Sequence, residues 1–234
     1  MSAIYKREMS GYFNSAIAYV VLAVYFFFSG WFFYLYCFYG DSASLSYVFA
    51  NMFYIIMFVI PVLTMKTFSE EKRQKTDQAL LTAPVSLTEI VLGKFLGALT
   101  IYALCCAIFL VYGVVISFFA QPQWSVILCT FVGLMLLGSA FIAINVFISS
   151  LTESMIVAAV AGMAIGLLVD MMTYFINAIN VDWITAVLEK INFINYYQNF
   201  TYGVLSPVDI VFFLSVTALF LFFTVRVLEK RRWS

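Results

Sequence analysis

Histidine is missing from all 234 residues. That removes the commonest metal ligand and general base, and with them the Ser–His and zinc arrangements on which most hydrolytic sites depend. Charge is nearly as scarce. Asp, Glu, Lys and Arg make up 10% of the chain, where soluble domains carry about 25%. The 12 basic and 12 acidic residues cancel, so there is no positive field to attract nucleic acid. The cysteines, Cys37, Cys105, Cys106 and Cys129, sit in apolar runs without CxxC spacing and read as small buried hydrophobes. A phosphate-binding loop is absent too: Gly93-Lys94 is followed by Phe95 and lacks the upstream glycine and the downstream Ser or Thr. Any nucleotide hydrolysis that serves this chain must therefore occur in another polypeptide.

What fills the sequence instead is hydrocarbon: 65% of residues are hydrophobic, 19% are aromatic, and the mean hydropathy is +1.02. A bilayer core of ~30 Å takes about 20 apolar residues of helix. Six runs qualify, at 16–39, 45–65, 95–119, 125–148, 155–176 and 207–228. Over such lengths in lipid only helices satisfy every backbone group, and the period-2 pattern of a β-barrel is missing. The expected fold class is all-α and polytopic, with six transmembrane helices in one membrane domain over 1–234. The first apolar run follows Lys6 and Arg7 and is too long for the ~7–15-residue core of a signal peptide.

Orientation follows from the basic residues. With both termini in the cytoplasm, Lys6, Arg7, Lys66, Lys72, Arg73, Lys75, Lys94, Arg226, Lys230, Arg231 and Arg232 all lie inside, and Lys190 alone lies outside. Two further segments look interfacial. Near the N-terminus, Tyr5, Met9, Tyr12 and Phe13 recur at helical spacing opposite Lys6, Arg7, Glu8, Ser10 and Asn14, the pattern of a helix lying on the membrane surface over roughly 1–15. Within the expected extracellular segment 177–206, Asp182 to about Ile194 reads as one short amphipathic helix, with Ile184, Val187, Leu188, Ile191 and Ile194 on one face. Ser206, Pro207 and Asp209 suit the start of the last span, with Asp209 as a capping carboxylate.

Asp170 is the one clear carboxylate inside a run. Charge at membrane depth is expensive and marks a candidate functional residue. A lone carboxylate forms no dyad, however, and its nearness to Asn177 and Asn180 suits a place close to the outer surface. Gly162-Met-Ala-Ile-Gly166, set among Ala158, Ala159, Ala161 and Ala164, favours close helix packing within the chain or across a dimer. Asn199-Phe200-Thr201 is a formal glycosylation acceptor.

The segment 66–94 stands apart, as the one sizeable internal stretch offered to water. Glu71 to Thr82 suits a helix ended by Pro84, and Ser86-Leu-Thr-Glu89 is a capping box opening the next helix. Charge alone would make this a solvated loop. Its residues say more. Pro61-Val-Leu-Thr-Met65, Phe68-Ser-Glu70-Glu71-Lys72-Arg73-Gln74, Thr76, Leu80-Leu81-Thr82, Pro84-Val85-Ser86 and Gly93-Lys94 resemble the ABC-2 type permease family. The flavour is that of permeases associated with gliding motility and nitrous-oxide-reductase maturation. The opening around Lys6-Arg7-Glu8 and the close at Leu228-Glu229-Lys230-Arg231-Arg232-Trp233 resemble the same family. Lys75 departs from the pattern, standing where glycine is usual before Thr76, and Gln78 stands where a carboxylate is usual.

The resemblance implies a permease subunit of an ATP-binding cassette exporter in a bacterial inner membrane. It would pair with a second permease chain, identical or different, and be driven by a cytoplasmic ABC ATPase that holds the ATP and Mg²⁺. This chain itself would bind no cofactor or metal and catalyse no reaction. An extracytoplasmic accessory subunit is a further possible partner. Glu70, Glu71, Lys72, Arg73, Thr76, Leu80, Leu81, Pro84 and Val85 would transmit the ATPase's motion as a coupling helix between spans 2 and 3. Lys6, Arg7 and Glu8 would dock the interfacial helix. The alternative is a membrane anchor that tethers such an ATPase to envelope machinery and moves no solute.

Overall fold

The computed structural model describes residues 2–40, 44–76, 85–178 and 182–232. Every regular element among the described residues is a helix, and six of these helices are long and apolar enough to cross a membrane. Helix α1 (Ser2–Phe13) precedes α2 (Ala16–Phe33), which runs on through a π-helical turn at Tyr34–Tyr39. Next come α3 (Ser46–Thr64), the single-turn α4 (Ser69–Arg73), α5 (Leu87–Cys106), α6 (Ile108–Ser117) and α7 (Trp124–Leu151). The chain continues with α8 (Met155–Ala178), α9 (Asp182–Glu189), α10 (Phe193–Thr201) and α11 (Pro207–Arg232). A helix over Glu71–Thr82 was expected, but the helix found there ends at Arg73, because Lys75 turns left-handed at φ 56°. The rest of that stretch lies outside the described residues, as do Gln78, Leu80, Leu81, Pro84 and Asn180.

The helices alternate in direction. One end of the bundle gathers α1, α4, the start of α5, the end of α7 and the basic end of α11, where Arg231 lies 3.8 Å from Glu153. We call this the basic end. Helix α7 is the central pillar, 72% buried over its most apolar stretch, against 22% for α8 and for α11. It packs on α3, α5, α8, α10 and α11. The weakly buried helices present their apolar faces outward, as lipid-facing spans do.

The third span begins earlier than its hydropathy suggests. The Ser86 side chain accepts a hydrogen bond from Glu89 N–H at 3.3 Å, so the helix starts at Leu87 rather than 95. It carries Lys94 into its buried face and breaks at Ala107, where α6 takes over. The capping box outweighs the polarity of the stretch, because a helix start needs its orphan N–H groups satisfied.

The paired glycines of α8 are used within the chain. A Cβ on Gly162 would meet Asn145 Oδ1 at 1.8 Å and Pro61 at 3.0 Å, and one on Gly166 would meet Met57 at 3.0 Å. Only glycine lets α8 approach α3 and α7 this closely.

At the opposite end, one amphipathic helix over Asp182–Ile194 was expected, and two are found. The chain breaks at Lys190–Asn192 because Asn192 caps a new helix: its Oδ1 accepts from Ile194 N–H at 3.0 Å, and its Nδ2 donates to Thr173 Oγ1 at 3.1 Å. Helix α10 then turns Phe193, Tyr197 and Phe200 inward. Tyr197 donates to the Phe49 carbonyl at 3.0 Å, and Thr130 donates to the Phe200 carbonyl at 2.9 Å. Asn199 Nδ2 donates to Asp209 Oδ2 at 2.9 Å. Asp209 is thus a buried carboxylate in the first turn of α11 that also holds α10 in place.

Candidate functional site

Helix α1 lies along the foot of α5. Ile4, Glu8 and Tyr12, spaced four apart, form the contact stripe. A Cβ on Gly93 would come within 2.8 Å of Ile4, and one on Gly97 within 3.1 Å of Glu8. Tyr5 and Thr100 share a hydroxyl hydrogen bond of 3.0 Å. Sequence spacing placed Glu8 on the polar, outward face of α1; the structure turns it onto α5. The cause is Lys94.

The Lys94 side chain is 1% exposed, yet it carries a charge. Its ammonium lies 2.8 Å from Glu8 Oε1 and 3.0 Å from Glu71 Oε1, and it sits over the Phe68 ring at 5.2 Å. A buried ammonium is tolerated only when paired and hydrogen-bonded. Three separated stretches of chain, α1, α4 and α5, are therefore bound through one cation. Arg7 completes the charge balance from the rim, with Nη2 3.6 Å from Glu71 Oε1 and a side chain 62% exposed. Beside the cluster opens a cleft of about 430 Å³, lined among others by Arg7, Tyr12, Lys66, Glu70, Glu71 and Gln74. Burial raises the Tyr12 phenol far above its ordinary range, so it stays a neutral donor, directed at the Leu63 carbonyl at 3.4 Å.

Helix α4 ends in a defined stop. Lys75 N–H bonds the Lys72 carbonyl at 3.1 Å, and Thr76 N–H bonds the Glu71 carbonyl at 3.0 Å. These are the paired bonds of a Schellman motif, which calls for a left-handed residue at its turn. Lys75 supplies it with φ 56°. Thr76 also donates its hydroxyl to the Glu71 carbonyl at 3.3 Å. The sequence pattern that usually has glycine here thus has a physical reason, which Lys75 meets at some strain.

The remaining candidates divide by exposure. Lys6, Arg73, Gln74, Lys75 and Thr76 are exposed. Glu70 lies in a surface pairing, 3.8 Å from Lys66 and accepting from Gln74 at 3.3 Å. Lys72 faces inward: it is buried, and its ammonium donates to the Ser150 carbonyl at the end of α7. Val85 packs half-buried against the core. Asp170 is half-buried on α8, within electrostatic reach of Tyr54 and far along the chain from the cluster. It has no salt-bridge partner among the described residues. Sequence reasoning ended the fourth span at 148 and left Ser149 and Ser150 in the break beyond it, whereas α7 runs through both to Leu151; it read Lys94 only as part of a motif. A lysine embedded in an apolar helix was the available signal.

The family model described as ABC-2 family transporter protein matches residues 9–228, a stretch that takes in Lys94, Glu71, Ser149, five of the six long helices in full and the sixth up to Leu228. The chain belongs to this family. It is a membrane permease of an ABC transporter. No curated protein matches it. In this ABC-2 permease the cluster around Lys94 occupies the foot of the matched region, with Glu8 just before its first residue.

Proposed function

We propose that this ABC-2 permease is an exporter subunit. A cytoplasmic ABC ATPase drives it by docking on the segment 66–94 and on α1. The observation that carries the reading is the buried Lys94–Glu8–Glu71 cluster. It welds the two polar segments nearest the basic end to the start of a spanning helix, so a load applied to either is delivered into the membrane. The basic end faces the cytoplasm, in keeping with the positive-inside bias, and both termini lie there. Exposed Arg73, Gln74 and Thr76 offer the contact surface, while Glu71 holds it to the bundle. Two such chains, or this one and a second permease, form the membrane core. A bacterial inner membrane suits a chain that resembles the gliding-motility and nitrous-oxide-reductase-maturation permeases, and an extracytoplasmic subunit is a further partner to seek.

Arg73 is the clean probe, because it is exposed and its side chain forms no hydrogen bond or ion pair among the described residues. In liposomes holding the permease and the ATPase purified with it, Arg73→Glu should abolish permease-dependent stimulation of ATP hydrolysis while leaving permease assembly intact. Wild-type stimulation by Arg73→Glu counts against docking at this segment. ATP hydrolysis that never moves a solute, and that requires an envelope partner, would make the chain an anchor instead.

A further inference from the structure

A single helical turn cannot hold its own shape in water, so α4 must be held by its surroundings. One face is held by Glu71 in the Lys94 cluster. The other is held by the end of α7, through a reciprocal arrangement. The Ser149 hydroxyl accepts from Phe68 N–H at 3.1 Å and from Ser69 N–H at 3.2 Å, and it lies 3.3 Å from the Met65 carbonyl as a donor. In return, the Lys72 ammonium of α4 donates to the Ser150 carbonyl in the last turn of α7. Each helix end satisfies orphan backbone groups of the other, and the lysine lies where a cation meets the negative end of a helix. Ser69, Ser149 and Ser150 are fully buried, and Lys72 is 8% exposed. Water does not compete for these bonds.

The two attachments lead to different places. The Lys94 cluster joins α4 to α1 and α5. The Ser149–Lys72 clasp joins it to α7, the most enclosed span, on which α3, α8, α10 and α11 all pack. The far stretch of the same helix carries Thr130, bonded to the Phe200 carbonyl of α10 at the opposite end. A rigid α7 thus has one end clasped to α4 and the other bonded to α10.

We infer that Ser149 and Lys72 are positioning residues for coupling, which make the foot of α7 the receiving end for movement of the 66–94 segment. This rests on the reading that the ATPase grips that segment. Displacement of α4 is carried directly by α7, and through it by the helices packed around it, rather than only by α1 and α5.

The test uses the complex purified through a tag on the full chain, in nanodiscs, with ATP and vanadate as the probes. Spin labels at Lys66→Cys, one-third exposed at the entry to α4, and Leu151→Cys, exposed at the end of α7, report the distance between α4 and the end of α7. The four native cysteines are replaced. With Ser149 and Lys72 intact, that distance should be the same in nucleotide-free and vanadate-trapped complex. In Ser149→Ala with Lys72→Met it should differ between the two states, and permease-dependent ATP turnover should fall about tenfold, the equivalent of one charged hydrogen bond. The ATPase should remain bound. Lys72→Arg, which keeps the cation, should restore turnover in the Ser149-intact background. If the double variant fails to assemble, Lys72→Gln alone carries the same two readouts. Undiminished turnover in the variants overturns the proposal, as does a nucleotide-dependent distance when the clasp is intact. A wild-type chain that retains no ATPase overturns the docking reading itself, and this proposal with it.

Discussion

The two ends of this ABC-2 permease are fastened by different chemistry. At the basic end, helices meet through ions and charge-assisted hydrogen bonds: Lys94 with Glu8 and Glu71, and Lys72 with the Ser150 carbonyl. At the opposite end they meet mainly through rings and neutral hydrogen bonds. Tyr196 stacks on Phe212 at 4.1 Å, Phe193 meets Phe212 edge-on at 5.3 Å, and Tyr197 donates to a backbone carbonyl of α3. Buried ion pairs are directional and costly to break one partner at a time. Aromatic pairs contribute about 0.5–1.5 kcal/mol each beyond their buried area and tolerate several geometries. A molecule that receives a push at one end and rearranges at the other would be built this way round.

The sharpest way to break this contrast is at Lys94. Lys94→Met leaves Glu8 without its cation and Glu71 with only the exposed Arg7 at the junction of α1, α4 and α5. It should cost about 3–5 kcal/mol, or roughly 10 °C in apparent melting midpoint in detergent. Adding Glu8→Gln and Glu71→Gln to the same chain should recover much of the loss, because the penalty belongs to the unpaired charges rather than to the missing packing. A midpoint for Lys94→Met close to that of the unaltered chain would mean that the foot is not held by ions.

That cluster also shows how far the sequence could be read. The spans were legible because apolar runs of sufficient length have one stable solution in lipid. The start of α5 was legible in detail because Ser86 and Glu89 form a local motif that needs no tertiary partner. Glu8 was misread, since helical spacing alone sorts residues by polarity and cannot show a buried ammonium waiting on another helix. The break at Lys190–Asn192 was missed for a similar reason. Continuing periodicity across it hid an asparagine whose capping bond pays off only once α10 finds its pocket. Ser149 was invisible because its partners are backbone groups some 80 positions away in the chain, and backbone groups leave no trace in composition.

The opposite end should yield less to any single change, with one exception. Asn199→Leu removes the donor to Asp209, a buried carboxylate, and should cost about 1.5–3 kcal/mol. Tyr196→Leu, which removes the stacked pair with Phe212, should cost near the aromatic increment of about 1 kcal/mol. Melting midpoints of the two variants, measured side by side with Lys94→Met, test the ranking. If Tyr196→Leu proved as damaging as Lys94→Met, the ends would not differ in kind.

A change of opposite sign is expected at the stop of α4. Lys75 holds φ 56° in a turn that glycine fits without a Cβ penalty. Lys75→Gly should stabilise the folded chain by about 1 kcal/mol, and it removes one positive charge from the exposed surface. If docking uses that charge, the variant will melt higher and stimulate the ATPase less. If docking uses only the shape of the turn, both will rise or hold.

The smallest effect should come from the one member of the ion cluster that water reaches. Arg7 and Lys94 both pair with Glu71 Oε1, at 3.6 Å and 3.0 Å, but their side chains are 62% and 1% exposed. Exposed pairs contribute about 0–1 kcal/mol, because solvent screens them and the side chain gives up freedom to hold one geometry. Arg7→Gln should therefore lower the melting midpoint by no more than about 3 °C at low ionic strength. The difference from wild type should close in ~1 M salt, where screening acts over about 3 Å. The Lys94→Met deficit should survive the same salt, since ions do not enter a site that buried. If salt erased both deficits alike, Lys94 would be reached by solvent, and the buried latch between α1, α4 and α5 would have to be given up.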